Sequence, residues 1–182
     1  MNESVLVTST FLYFAYGSNL LSSRLHIANP RAVFKDIARL QDYKIDFLGF
    51  SKAWSGCVGT IVKSPNSHVW GVIWEIPNED LINLDRQEGV DVGYYKPINV
   101  NVTNSDGKIY NCRTYQQPTD PDPIVELNQL PDDRQPSLAY LKVIIHGAQD
   151  HHLPNDYVEF LKNIKHNWNE TIVIEGLKIC DI

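Results

Sequence analysis

Phe11-Leu12-Tyr13-Phe14-Ala15-Tyr16-Gly17-Ser18-Asn19-Leu20 is the stretch on which the fold turns. Its first six residues are apolar or aromatic, the make-up of a buried strand. Gly17-Ser18-Asn19 stops that run. Asn19 is a favoured helix N-cap residue, and Leu20, Leu21, Arg24 and Leu25 follow at helical spacing until Pro30 ends the segment. The stretch is therefore expected as a strand that ends in a turn at the start of a helix. Such a junction aims backbone N–H groups one way, with about half a positive charge at the helix start. Gly17 lets a ligand come close to the backbone, and a carboxylate or an oxyanion suits the site. Taken alone the signal is weak, since most turns of this kind bind nothing.

Downstream the chain is mostly β. Tyr43, Ile45 and Phe47 alternate with Lys44 and Asp46, as in a half-buried strand. Residues 54–62 and 68–76 read as two more strands, with Trp70 and Trp74 on one side of the second, and all four tryptophans, Trp168 included, are read as core. Pro77-Asn78 opens a short helix over 79–88, with Asn78 as cap and Gly89 just past its end. Residues 94–102 and 108–116 flank Asn104-Ser105-Asp106-Gly107, which reads as a hairpin turning at Asp-Gly. Residues 118–135 hold four of the ten prolines, an irregular and mobile surface loop. Ser137 caps a helix over 138–148. Another begins at Asn155 or Asp156 and is amphipathic through Val158, Leu161 and Ile164. A tail, 168–182, offers one β-like stretch at 171–174. These elements make an α+β fold, a small mainly antiparallel β-barrel with flanking helices, in one domain spanning 1–182.

Composition narrows the function. The 182 residues carry 16 Lys+Arg and 22 Asp+Glu, a net charge of −6, which argues against a nucleic-acid or anionic-membrane partner. No apolar run approaches the roughly 20 residues that cross a bilayer, and the N-terminus lacks the basic start of a signal peptide. Cys57, Cys112 and Cys180 lack CxxC spacing and cannot all pair, which fits reduced thiols and a cytoplasmic location. His146, His151 and His152 match no metal-ligand pattern, so no metal is expected and these are read as solvated histidines. Cys57 has no positioned His to make it a nucleophile.

A second segment carries chemistry: Leu84-Asp85-Arg86-Gln87-Glu88-Gly89-Val90. Leu84 and Glu88 are four apart, so Glu88 leans toward the apolar side of its helix, and Asp85 shares its face. A carboxyl drawn toward the core beside aromatic strands has a raised pKa, which suits proton transfer near neutrality. On spacing alone, an ordinary surface Glu in a helix's last turn is the commoner case.

Together, the run 11–20 resembles the signature of the γ-glutamylcyclotransferases, and 84–90 resembles the segment bearing their catalytic glutamate. The similarity continues through Ala38-Arg39-Leu40-Gln41-Asp42-Tyr43, Val69-Trp70-Gly71-Val72, Cys112-Arg113-Thr114-Tyr115 and 136–154, in order. The resemblance implies a β-barrel enzyme, often a homodimer, with no cofactor. The loop Phe14-Ala15-Tyr16-Gly17-Ser18-Asn19 favours the branch acting on γ-glutamyl amino acids, a small-molecule substrate. The implied reaction is attack of the substrate's α-amine on its own γ-carbonyl, giving 5-oxoproline and a free amino acid, with Glu88 as base and then acid. By motif match, substrate contacts fall on Tyr13, Phe14, Ala15, Tyr16, Gly17, Ser18 and Asn19, with Tyr115 and Tyr140 near the pocket and Tyr95 a weaker candidate. Arg86, where relatives often carry an acidic residue, and the 117–135 stretch depart from the pattern. Rival readings are a non-catalytic binding or regulatory module on the same fold, or a glutathione-specific cyclotransferase.

Overall fold

In the computed structural model, which describes residues 9–177, two long strands set the frame. β2 (Val33–Ser51) runs antiparallel to β3 (Gly56–Pro77). β1 (Thr10–Ala15) pairs antiparallel with the far half of β3, from Thr10↔Pro77 to Ala15↔Val72. β4 (Lys96–Thr103) and β5 (Ile109–Gln116) form the expected hairpin, its turn carrying Gly107 at φ 81°. An antiparallel contact, Arg39↔Thr103, and a parallel one, Tyr13↔Arg113, close the order β1-β3-β2-β4-β5 into a barrel. The mainly antiparallel barrel is as expected, with the β1–β5 seam the one parallel pairing among the described residues. Phe14, Phe47, Ile61, Ile73 and Trp74 are fully buried in its core, each contributing roughly 1.5–3 kcal/mol of burial.

Among the described residues four helices flank the barrel: α1 (Ser22–His26), α2 (Leu81–Gln87), α3 (Leu138–Asp150) and α4 (Asn155–Lys162). Ser137 caps α3 as expected, its hydroxyl accepting from Tyr140 N at 3.0 Å. Val158, Leu161 and Ile164 are buried, so the amphipathic face of α4 lies inward. α3 presses on the turn after β1. A Cβ on Gly147 would stand 2.4 Å from the Leu20 carbonyl carbon, so no larger residue fits there without moving the turn.

Several expectations need correction. Neither Asn19 nor Asn78 is a side-chain cap: both helices begin as single 3-10 turns, Ser18–Leu20 and Asn78–Asp80. The Asn78 side chain bonds Ser9 instead, and that of Asn19 is used elsewhere. The two strands expected at 54–62 and 68–76 are one continuous strand, β3. Its pairing jumps from Tyr43↔Lys63 to Gln41↔His68, so residues 64–67 bulge opposite Asp42. Asp42 (φ 62°) accepts from Asn66 N at 2.9 Å there.

Asp46 does not face solvent as the alternation of β2 implied; it is fully buried. The reason lies in the segment expected to be only a surface loop. Its second half carries two single-turn helices, Leu127–Gln129 and Asp132–Arg134, and buries Leu127, Leu130, Arg134 and Gln135. Arg134 reaches across the barrel wall to Asp46 at 2.6 Å. The tail returns over this segment, Lys165 N bonding Leu127 O and Asn167 N bonding Pro136 O. No strand forms at 171–174; a single hydrogen bond joins Val173 N to Ala53 O. Trp168 is 78% exposed rather than core. His151 is not a freely solvated histidine but stacks on Phe34 with ring centroids 5.0 Å apart, and bonds Ser22. Cys180 lies outside the described residues.

Candidate active site

The turn after β1 and the end of α2 meet at one mouth of the barrel. Glu88 follows the last residue of α2, with its N–H on Leu84 O at 3.0 Å, so the four-residue spacing turns it inward beside fully buried Leu84. Gly89, at φ 64°, ends the helix in the left-handed conformation glycine favours. The chain then returns to bring Tyr95 across the mouth, where its hydroxyl donates to Gly59 O at 2.5 Å.

The resulting cavity is small, enclosing about 300 Å³ of non-atom space when the solvent at its open mouth is included. Five tyrosines (13, 16, 95, 115 and 140) line it together with Glu88, the turn residues Gly17, Ser18 and Asn19, and Gly59. Of the residues expected at the site, Phe14 and Ala15 do not line the cavity. Both are fully buried in β1, where alternation turns Phe14 away from Tyr13.

Hydrogen bonds tie several of the polar groups here to one another. Asn19 Nδ2 donates to Glu88 Oε1 at 2.9 Å and to the Tyr13 hydroxyl at 3.1 Å. Gln87 Nε2 donates to Asn19 Oδ1 at 2.7 Å. Trp74 Nε1 donates to the Asn19 carbonyl at 3.0 Å, and because the Asn19 amide is committed to Glu88, Tyr13 and Gln87 the side chain is buried here instead of capping a helix. The Tyr16 hydroxyl donates to Tyr115 O at 2.6 Å, and the Tyr140 hydroxyl accepts from Gly59 N at 3.1 Å. A Cβ on Gly17 would stand 3.2 Å from the Tyr140 oxygen. The turn thus faces a hydroxyl across a narrow gap.

Behind Tyr115 stands a charged pair. Arg113 donates to Asp85 at 2.7 and 3.0 Å and to the Tyr115 hydroxyl at 2.9 Å, and that hydroxyl donates to Asp85 at 2.6 Å. Arg24 is half-buried, with its guanidinium 5.9 Å from the Trp54 ring and its Nε without a partner among the described residues. Arg86 is exposed and takes no part.

Burial pushes the Glu88 carboxyl up to about 7, against the opposing pull of Arg24 and the Asn19 hydrogen bond. Burial also lifts the Tyr140 hydroxyl to about 12 and holds those of Tyr13, Tyr16, Tyr95 and Tyr115 above the usual phenol range. Near neutrality the cavity therefore presents one carboxyl poised between its two forms, ringed by phenols that keep their protons. A group of that kind can take a proton from one atom of a bound molecule and return it to another. The Cys57 thiol is buried, donates to Asp133 O and is pushed up by burial, outside the cavity. Among the described residues no three His, Cys, Asp or Glu side chains converge to hold a metal ion.

Sequence reasoning missed Gln87, Gly59 and Arg24 and ranked Tyr95 too low. Gln87 had a signal, its place beside Glu88 in the second motif. Gly59 and Arg24 had none beyond a glycine-spaced stretch and a helical position, because their roles depend on partners distant in the chain.

The model of the AIG2-like family matches residues 68–161. A γ-glutamylcyclotransferase of Bos taurus is 44% identical over 162 residues, covering 87% of this chain and 80% of that protein. One of Homo sapiens is 43% identical over the same coverage. A solved structure described as a γ-glutamyl cyclotransferase superposes with a TM-score of 0.82 at 41% identity, covering 92% of this chain and 95% of the other.

Proposed function

The chain belongs to the γ-glutamylcyclotransferase family and is an enzyme acting on γ-glutamyl compounds; we propose that it closes γ-glutamyl amino acids on themselves, with Glu88 carrying the protons. The observation that carries this reading is the Glu88 carboxyl, lifted to about 7 inside a cavity whose other titrating walls are neutral phenols.

The substrate's α-ammonium, with an ordinary pKa of about 8, gives a proton to ionised Glu88. The freed amine attacks the γ-carbonyl carbon and forms the ring C–N bond. Nucleophile and electrophile are tethered in one molecule, so much of the cost of bringing them together is already met. Protonated Glu88 then passes its proton to the departing nitrogen. It takes a second from the ring nitrogen as the old C–N bond breaks, and delivers that one to the released amine. Two protons move from the attacking to the leaving nitrogen, and Glu88 ends ionised as it began. The chemistry involves no redox step and no group beyond the substrate and these side chains.

In this scheme the carbonyl oxygen, as it gains charge, faces the 16–19 turn and the Tyr140 hydroxyl. That hydroxyl is held by Gly59 N–H and has its own proton to give. Arg24 supplies the positive charge facing an anionic substrate. Tyr115, held by Asp85 and Arg113, fixes the opposite wall. The same reading takes the enzyme to be cytoplasmic and homodimeric.

The test is release of 5-oxoproline from γ-glutamyl-alanine and from glutathione, by wild type and by Glu88→Gln. Release from γ-glutamyl-alanine alone, lost by about 10²-fold or more in Glu88→Gln, is expected. Release from glutathione moves the enzyme to the glutathione-specific branch, and release from neither favours a binding module. A folded Glu88→Gln protein with near-normal turnover removes Glu88 from the mechanism.

A further inference from the structure

A line of carboxamides leads away from Glu88 into the protein. Asn19 Nδ2 donates to Glu88 Oε1, Gln87 Nε2 donates to Asn19 Oδ1 at 2.7 Å, and Asn29 Nδ2 donates to Gln87 Oε1 at 3.4 Å. A carboxamide turned over by 180° keeps its shape but exchanges donor and acceptor, so only its partners select an orientation. An ionised carboxylate can only accept. Asn19 must therefore show Glu88 an N–H, and its Oδ1 must find a donor on the other side. Gln87 is that donor. The bond from Trp74 Nε1 to the Asn19 carbonyl holds the residue's backbone in place but does not decide which way the side-chain amide faces. Asn29, fully buried, completes the line, with its Oδ1 lacking a protein partner among the described residues. Its N–H is the end it shows to Gln87.

The geometry points to Gln87 as a positioning residue for Glu88: by fixing which way the Asn19 carboxamide faces, it keeps a donor on Oε1 and the carboxylate ready to accept the substrate's proton. This rests on Glu88 as the base and explains why a glutamine precedes it. Without Gln87, the Asn19 amide can turn over and set its oxygen against the carboxylate, which favours the protonated form.

The other groups facing Glu88 come from every side. Arg24 stands on α1, Asp85 on α2, Tyr13 on β1, Tyr16 just after it, Tyr95 in the segment after α2 and Tyr140 on α3. Gln87→Met, neutral and of similar length, changes none of their charges and deletes only the amide. It therefore isolates the effect of orientation.

The experiment follows the Glu88 side-chain carboxyl carbon by 13C NMR across pH in the intact protein, its signal assigned by its absence in Glu88→Gln. Wild type, Gln87→Met and Arg86→Gln are compared, with kcat and KM for γ-glutamyl-alanine on the same preparations. In Gln87→Met the Glu88 titration is expected about one pH unit higher. At pH 6 kcat is expected about tenfold lower, with KM within about twofold. Arg86→Gln, at an exposed neighbour, is expected to match wild type in both. An unchanged Glu88 titration in folded Gln87→Met overturns the proposal. Should Gln87→Met fail to fold, Gln87→Leu is read in the same way. The NMR titration does not need Glu88 to be the base, so failure of the base assignment, seen as turnover by Glu88→Gln, remains separate from failure of this one.

Discussion

Two carboxylates of this barrel, Asp46 and Glu88, are treated in opposite ways. Asp46, on β2, is fully buried, held by charge-assisted donors on Oδ1, with Oδ2 lacking a hydrogen-bond partner among the described residues. The Arg134 guanidinium lies at 2.6 Å, Lys44 Nζ at 3.6 Å, and Phe47 N donates at 2.7 Å. Glu88, at the end of α2, has a neutral carboxamide on Oε1 and phenols around it. Arg24 faces it from α1 without a salt bridge, and Arg113 is committed to Asp85. Burial alone therefore does not separate structure from chemistry here. The pairing does. A carboxylate held by a guanidinium is a clamp, since losing either partner strands a charge in a poor solvent. One held by neutral donors can gain and lose a proton near pH 7 with little rearrangement around it.

The comparison breaks most easily at the clamp. Arg134→Met leaves Asp46 buried without its main partner and is expected to lose about 3–5 kcal/mol of stability in urea unfolding. A loss under about 1 kcal/mol would show the pair to be dispensable.

At Glu88 the sign reverses. Its carboxyl titrates at about 7 in the folded protein against 4.5 ordinarily, so the folded state holds this proton more tightly than the unfolded chain. That contribution to stability is complete below about pH 4.5 and is lost as pH rises through 7, on the order of 2 kcal/mol after allowing for partial exposure. Glu88→Gln does not suffer this loss. The variant's unfolding free energy relative to wild type should thus climb between pH 5 and pH 8, read by urea unfolding at each pH. A difference that stays flat with pH would contradict the assignment.

The smallest effect sharpens the contrast between the two mouth carboxylates, Glu88 and Asp85. Asp85→Asn frees Arg113 and loosens Tyr115 without touching Glu88. It should lower kcat by less than about tenfold, and removing a negative charge that helps raise the Glu88 carboxyl should move the acid limb of the rate to lower pH without abolishing it. Loss of that limb in Asp85→Asn would mean that Asp85 shares the proton-carrying role.

Much of this contrast was legible in the chain. The aromatic run before Gly17, the hairpin turning at Asp106-Gly107, the Ser137 cap and the i, i+4 step from Leu84 to Glu88 are all local patterns, and local patterns survive folding. What was not legible depends on distant partners. Asp46 reads as an outward polar residue because nothing nearby reveals Arg134, 88 residues away. Asn19 reads as a cap because capping is local, whereas Glu88 and Gln87 lie 69 and 68 residues on. The 118–135 stretch reads as loop because its prolines forbid regular structure, yet irregular backbone can still bury Leu130 and Arg134.

The central claim is that Glu88, in its ionised form, takes the substrate's proton, and the pH dependence of kcat/KM for γ-glutamyl-alanine tests it most directly. The profile should rise about tenfold per pH unit on its acid side and bend near 7, reporting the base of the free enzyme. Glu88→Gln should lose both that limb and about 10²-fold of the plateau. A limb at the ordinary carboxyl value, or one that persists unchanged in Glu88→Gln, would contradict the account.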